Sequence, residues 1–179
     1  MTGERPYQSA PQRLNRGERV RLLEVDRVVS FCMAEKAEGP VLDVGAGSGL
    51  FAAAFTQAGE SVIGIDLRKD MTMAANTVLE ESRMAVADMH ALPLASDYFS
   101  MAFMGHALHE SDQPGTLLKE IHRVAPRVFA LEWPYCQEAM GPPLAHRLSP
   151  VAAENAGKAA GFKEFAMNLL EHMILYHYY

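Results

Sequence analysis

Three glycines at alternate positions, Gly45, Gly47 and Gly49, directly follow a short run, residues 41–44, that is apolar except for Asp43. Glycine accepts positive φ angles and lets the backbone approach a ligand without an intervening Cβ. An Ala-rich stretch of helical character begins at Gly49. A buried strand that leads through a Gly-rich turn into a helix is typical of the first βα unit of a nucleotide-binding fold. This feature predicts an α/β fold with the ligand at the turn.

The spacing of these glycines and the acid before them narrow the choice of ligand. The turn reads G-x-G-x-G, whereas a dinucleotide-binding turn reads G-x-G-x-x-G. Asp43 lies two residues before Gly45, and a carboxylate there disfavours a pyrophosphate on the helix N-terminus. It suits a ligand with positive groups, such as S-adenosylmethionine (SAM), which has an amino group and a sulfonium. A structural turn or an NAD-binding loop remains the alternative at this stretch.

Predicted strands and helices alternate along almost the whole chain. Strands are predicted at 41–44, 61–65, 83–87, 97–104, 128–131, 162–167 and 172–179. Helices are predicted at 18–34, 49–57, 68–80, 113–124 and 149–160. This alternation predicts a three-layer αβα, Rossmann-like sandwich around a mostly parallel sheet.

Two further acids stand at the ends of predicted strands. Asp66 ends the second strand about 20 residues after the Gly-rich turn, where a carboxylate can accept hydrogen bonds from a ribose diol. Its alternative role is that of a helix N-cap. Asp88 ends the third strand, at the sheet edge where ligands of open α/β sheets bind.

These motifs together resemble a known family. The run from Asp43 to Gly49 resembles the first motif of class I SAM-dependent methyltransferases, and residues 87–99 resemble the second conserved region of its small-molecule members. The resemblance covers roughly residues 20–179. Residues 140–150 are similar to the "type 11" methyltransferases and to the ubiquinone/menaquinone branch. The resemblance to class I SAM-dependent methyltransferases implies a seven-stranded sheet with an antiparallel last strand, SAM as the cofactor, and a contact between Asp88 and the adenine.

The resemblance and the motifs give one set of expected site residues. The expected SAM-binding residues are Asp43, Gly45, Ala46, Gly47, Asp66, Leu67, Asp88, Met89 and Gly105.

A group of proton-handling side chains follows the fourth predicted strand, in the run from Gly105 to Glu110. Orienting a nucleophile against the S–CH₃ bond supplies most of the catalysis, and a general base is needed only when the nucleophile keeps its proton near neutral pH. His106 and His109 are the candidate catalytic residues. The alternative is that one of them caps or orients the next helix, and Glu110 reads as an acid at that helix's start.

Composition limits the partners. A chain of 179 residues predicts one domain over 1–179, with 1–16 as a flexible arm. The net charge of −6, without a basic stripe, disfavours nucleic acid. Cys32 and Cys136 have no metal-ligand spacing, so no metal is expected. The absence of a signal peptide or a membrane-length apolar segment predicts a cytoplasmic protein without membrane insertion.

The sequence therefore predicts a SAM-dependent methyltransferase that moves the sulfonium methyl group to a small molecule by in-line displacement. The substrate cover is expected from the N-terminal arm, from the connector 133–148, or from a second subunit in a homodimer. A non-catalytic SAM-binding or regulatory protein is the alternative. An NAD-linked oxidoreductase is a weaker one, because the glycine spacing and Asp43 speak against it.

Overall fold

A computed structural model describes residues 17–77, 79, 83–138 and 140–179. Within these residues, seven strands form one sheet in the order β3-β2-β1-β4-β5-β7-β6. The strands are β1 (Val41–Val44), β2 (Val62–Asp66), β3 (Arg83–Val86), β4 (Met101–Gly105), β5 (Val128–Glu132), β6 (Phe165–Leu169) and β7 (Ile174–Tyr178). The helices are α1 (Gly17–Leu22), α2 (Val25–Glu35), α3 (Leu50–Gln57), α4 (Lys69–Asn76), α5 (Pro114–Val124) and α6 (Pro150–Ala160).

The sheet is mostly parallel, as the sequence predicts. Strand β1 pairs in parallel with β2 and β4, β2 with β3, and β4 with β5. The last strand, β7, runs antiparallel to both of its neighbours, β5 and β6. The predicted Rossmann-like sandwich with an antiparallel last strand is therefore confirmed.

Helices cover both faces of the sheet, because successive side chains of a buried strand point to opposite sides. Leu42 and Val44 of β1 pack in the core that includes buried residues of α5 and α6. Val41 packs in the second core, together with residues of α2 and α3. This arrangement leaves the carboxyl ends of the parallel strands at one edge.

The predicted helix over 18–34 is wrong as one continuous element. Glu24 adopts a left-handed conformation, with φ 47° and ψ 46°, between α1 and α2. Its carboxylate accepts hydrogen bonds from Arg27 Nη1 at 2.7 Å and from the backbone N–H of Glu171 at 2.5 Å. The bend at Glu24 therefore connects α1 and α2 to the turn between β6 and β7, which lies far away in the sequence.

The predicted strand over 97–104 begins too early, since β4 starts at Met101. Asp97 has a positive φ of 54°. The backbone N–H groups of Asp97 and Phe99 donate to the carbonyls of Arg123 and Val124, each at 3.0 Å. This segment therefore closes the end of α5 before the chain enters the sheet.

Other element ends also differ from the predictions. The strand predicted from residue 162 begins at Phe165, because the Phe162 N–H donates to the Gly157 carbonyl at 3.1 Å and closes α6. The helix predicted to residue 80 ends at Asn76, and residues 78 and 80–82 lie outside the described part of the chain. The predicted arm, residues 1–16, lies outside it too. None of the described helices is long and apolar enough to cross a membrane.

Candidate active site

The carboxyl ends of β1 to β4 open into a cavity of about 420 Å³. Ten of the eleven predicted site residues line it, namely Gly45, Ala46, Gly47, Asp66, Leu67, Asp88, Met89, Gly105, His106 and His109. The remaining lining residues are Arg19, Leu23, Ser48, Leu50, Phe51, Ile65, Arg68, Met71, Ala87, Ala107, Glu110, Trp133, Gly141 and Pro142.

The Gly-rich turn forms the wall of this cavity above β1. Gly45 and Gly47 have φ angles of 68° and 55°, a region that side chains disfavour. A Cβ added at Gly45 would lie 2.7 Å from the Cβ of Ala107, the loop residue after β4. The turn is also fixed to the next strand, because the Ala46 N–H donates to the Ile65 carbonyl at 2.9 Å. Glycine is thus needed here for both conformation and space.

Asp66 connects the Gly-rich turn to the end of β2. Its Oδ2 accepts from the Gly47 N–H, and its Oδ1 accepts from the Arg68 N–H, both at 2.8 Å. Burial raises the pKa of this carboxyl, while the two backbone hydrogen bonds lower it. A carboxylate oxygen has two lone pairs, so Asp66 retains capacity for ligand hydroxyl groups.

Asp88 follows β3, the edge strand two positions from β1 in the sheet, and lines the cavity. Half of its side chain is exposed, and its Oδ1 accepts from the His90 N–H at 2.8 Å. The His90 ring bridges Asp88 to Ser111, with 3.2 Å from Nδ1 to Asp88 Oδ1 and 2.9 Å from Nε2 to Ser111 Oγ. His90 therefore holds the acid at the cavity rim.

Asp43 is the one predicted site residue that does not line the cavity. It is 1 % exposed, and its Oδ2 has no hydrogen-bond partner among the described residues. Burial raises the pKa of Asp43 to about 7, which the Ala52 N–H opposes and the charge of Asp66 reinforces. A buried carboxyl of this kind fits a positively charged ligand group that would satisfy it.

The raised pKa of Asp43 predicts a pH-dependent stability. In the folded chain the Asp43 carboxyl keeps its proton up to about pH 7, whereas in the unfolded chain it loses the proton above about pH 4. Folding thus binds a proton in this window, so the contribution of Asp43 to stability falls as pH rises through it. Asparagine has no proton to lose, so the difference in unfolding free energy between Asp43→Asn and the parent should shift in favour of the variant by about 4 kcal/mol from pH 4 to pH 8. Urea unfolding across that range measures it.

The control for this prediction is Asp26→Asn, which removes a carboxylate from the exposed face of α2. Because its side chain is exposed, we expect a smaller change in unfolding free energy than in Asp43→Asn. If the difference in unfolding free energy between Asp43→Asn and the parent did not vary with pH, the pKa of Asp43 would be the same in the folded and unfolded chain, which would contradict the prediction.

His106 lies at the start of the loop after β4, with a positive φ of 61°. Its ring packs against Trp133, with the centroids 5.1 Å apart. Its Nε2 is buried without a partner among the described residues. Burial, followed by the charges of Arg19 and His109, holds the pKa of His106 well below its usual range. His106 is therefore a neutral imidazole at neutral pH.

His109 is held by Glu132, the last residue of β5, which the sequence analysis did not single out. Glu132 Oε2 lies 2.6 Å from His109 Nδ1, and Oε1 accepts from the His109 N–H at 3.1 Å. Glu132 is 1 % exposed. The available signal was an acid at the carboxyl end of a strand, the same signal that identified Asp66 and Asp88.

Arg147, also missed by the sequence analysis, organises the connector after β5. Its guanidinium donates to the carbonyls of Pro142 at 3.0 Å, Pro134 at 2.9 Å and Met140 at 2.5 Å. It also pairs with Glu138 at 3.0 Å. The side chain of Arg147 is 1 % exposed. One buried cation thus fixes the segment that contributes Gly141 and Pro142 to the cavity wall.

No cluster of three or more His, Cys, Asp or Glu side chains suited to a metal ion occurs in the described ranges. The site therefore combines a Gly-rich turn, strand-end carboxylates and a His–Glu pair around one cavity.

Comparisons with known proteins agree with this layout. Residues 42–127 match the family model described as a methyltransferase domain. The chain is 33 % identical over 92 residues to a malonyl-[acyl-carrier protein] O-methyltransferase of Pseudescherichia vulneris, covering 51 % of this chain and 37 % of that protein. It is 31 % identical over 130 residues to the uncharacterized methyltransferase YcgJ of Bacillus subtilis, covering 69 % and 51 %. The chain thus spans about a third to a half of these relatives.

A solved structure shares the fold over nearly the whole chain. The crystal structure of a SAM-dependent methyltransferase from Aquifex aeolicus superimposes with a TM-score of 0.80 at 21 % identity. The match covers 96 % of this chain and 98 % of that one. At this identity the likeness establishes the fold.

Proposed function

We propose that this chain is a SAM-dependent methyltransferase, which binds SAM in the cavity and transfers the methyl group to a small-molecule acceptor. The methyltransferase-domain match over residues 42–127 and the two relatives named as methyltransferases support this proposal. The observation that carries the proposal is the link between Asp66 and the Gly47 N–H at 2.8 Å. It places a carboxylate and an open backbone turn on one wall, as a ligand with a ribose and a charged amino-acid tail requires.

The residues present fit SAM by their chemistry. Asp66 would accept hydrogen bonds from the ribose hydroxyls, and Asp88 and Met89 would border the adenine. The backbone of Gly45 to Gly47, and Gly105 after β4, would allow close approach of the cofactor. The unpartnered Oδ2 of Asp43 would be satisfied by a cationic group.

SAM supplies an electrophilic methyl group, so the task left to the protein is to orient the acceptor and exclude water. Orientation of this kind can remove about 7–11 kcal/mol of a barrier. Trp133, Gly141 and Pro142 form a wall beside His106 and His109, and they would bound the acceptor. The name of the P. vulneris relative, an O-methyltransferase, supports transfer to oxygen.

Isothermal titration calorimetry tests the cofactor. We expect SAM and S-adenosylhomocysteine to bind in the micromolar range and NAD not to bind, since the turn lacks the dinucleotide spacing. Tight NAD binding, or no binding of SAM, would contradict the proposal. SAM binding without methylation of any acceptor would instead favour the non-catalytic alternative.

A further inference from the structure

We propose that Glu132 positions His109 as the proton acceptor for a methyl acceptor that reacts through a hydroxyl group, an alcohol or a phenol. The inference rests on the proposed function and deepens it, because it names the chemical class of the acceptor. Glu132 acts through His109 and is therefore a positioning residue.

The geometry of the pair supports this role. Both carboxylate oxygens of Glu132 contact the same residue, one at the His109 ring and one at its backbone N–H. This double contact fixes the ring's position as well as its tautomer, since a carboxylate beside Nδ1 keeps a proton on that nitrogen. His109 lines the cavity and Glu132 does not. The ring thus stands between a buried acid and the space for the acceptor.

His106 is less suited to the same task. Its Nε2 is buried and has no partner in the described part of the chain, and its ring lies against Trp133. Among the described residues, no carboxylate contacts the His106 ring to stabilise a positive charge, and the charges of Arg19 and His109 oppose one. His106 would then shape the cavity while His109 takes the proton.

The proposed step balances without a further reactant. The acceptor oxygen attacks the methyl carbon, the new O–C bond forms, and the S–C bond breaks with its electron pair returning to sulfur. The hydroxyl proton moves to Nε2 of His109, and the imidazolium is stabilised by the Glu132 carboxylate at Nδ1. Acceptors that are already unprotonated, such as carboxylates and thiolates, would not need this pair.

Other charged groups face the same space. Within the described residues, the titratable side chains that line the cavity near His109 are His106 and Glu110 on its own loop and Arg19 of α1. The ring centroids of His106 and His109 are 6.4 Å apart. The Glu132 carboxylate lies 2.6 Å from Nδ1 of the His109 ring, so its removal should lower the proton affinity of that ring.

NMR of the histidine rings, with S-adenosylhomocysteine bound, tests the pair without an acceptor. We expect His109 to carry its proton on Nδ1 when neutral, and Glu132→Gln to move its titration midpoint at least about one pH unit lower, tenfold in proton affinity. Glu171→Gln is the matched control, because Glu171 lies 3.7 Å from His172 in an exposed His–Glu pair. It should leave His109 unchanged. An unmoved midpoint in Glu132→Gln, or a neutral ring protonated on Nε2, overturns the proposal.

The acceptor class is tested with SAM labelled in the methyl group and four defined pools: phenols with alcohols, thiols, amines, and carboxylates. We expect label in the hydroxyl pool, a rate lowered about 10²–10⁴-fold in His109→Asn, and an acidic limb of the pH–rate profile shifted lower in Glu132→Gln. Calorimetry should show that His109→Asn and Glu132→Gln still bind SAM, so a lowered rate in these variants does not come from lost cofactor binding. Label confined to another pool overturns the inference and leaves the proposed function standing, whereas no label in any pool despite SAM binding counts against both.

Discussion

Replacing Asp66 by alanine is expected to weaken SAM binding by about 1–3 kcal/mol, roughly five- to 150-fold in affinity. The substitution removes the acceptor for the ribose hydroxyls and also the contacts to the Gly47 and Arg68 N–H groups at 2.8 Å. The effect therefore includes both a lost ligand contact and a less ordered turn. Calorimetry with S-adenosylhomocysteine measures it.

Two variants separate these contributions. Asp66→Asn keeps one carbonyl oxygen and should lose less affinity than Asp66→Ala. Asp70→Ala is the control, because Asp70 does not line the cavity and 56 % of its side chain is exposed; it pairs with the lining residue Arg68 at 2.5 Å. It should bind as the parent does. Unchanged affinity in Asp66→Ala would mean that the ribose lies elsewhere.

Replacing Arg147 by methionine is expected to lower the free energy of unfolding by about 3–5 kcal/mol. Methionine keeps much of the side-chain length but leaves the carbonyls of Pro134, Met140 and Pro142 without the donor they have now. Removing one partner of a buried charged pair costs about 3–5 kcal/mol, and the Arg147 side chain is 1 % exposed. The guanidinium also lies over the Trp133 ring, 5.5 Å from its centroid. Loss of Arg147 should therefore disturb the cavity wall as well.

Urea unfolding gives the stability change, and Arg27→Met is the control. Arg27 pairs with Glu24 at 2.7 Å, but half of its side chain is exposed, and surface pairs contribute about 1 kcal/mol or less. A loss in Arg147→Met no larger than in Arg27→Met would show that solvent replaces the four contacts of Arg147.

Local patterns were sufficient to predict which residues line the cavity at the ends of β1 to β3. The Gly-rich turn and the acids Asp66 and Asp88 follow from spacing and from the rule that parallel strands end at one edge. The sheet brings these residues to one cavity as predicted. Asp43 belongs to the same motif, but it is 1 % exposed and does not line the cavity.

The part of the cavity proposed for the acceptor depends on contacts between distant parts of the chain. Glu132 meets His109 because β5 pairs with β4, and neither residue's local sequence reveals the other. Arg147 is 13 residues from Pro134, and its carbonyl partners carry no sequence signal. The early start predicted for β4 has the same origin, since the backbone of residues 97–99 bonds to the end of α5, which lies later in the sequence.

A crystal structure with S-adenosylhomocysteine tests the central claim most directly. We expect density for the ligand between the Gly45–Gly47 turn and Asp88, with the ribose hydroxyls within hydrogen-bond distance of Asp66 and the sulfur facing the His109 side of the cavity. Density outside this cavity, or a ribose distant from Asp66, would contradict the account.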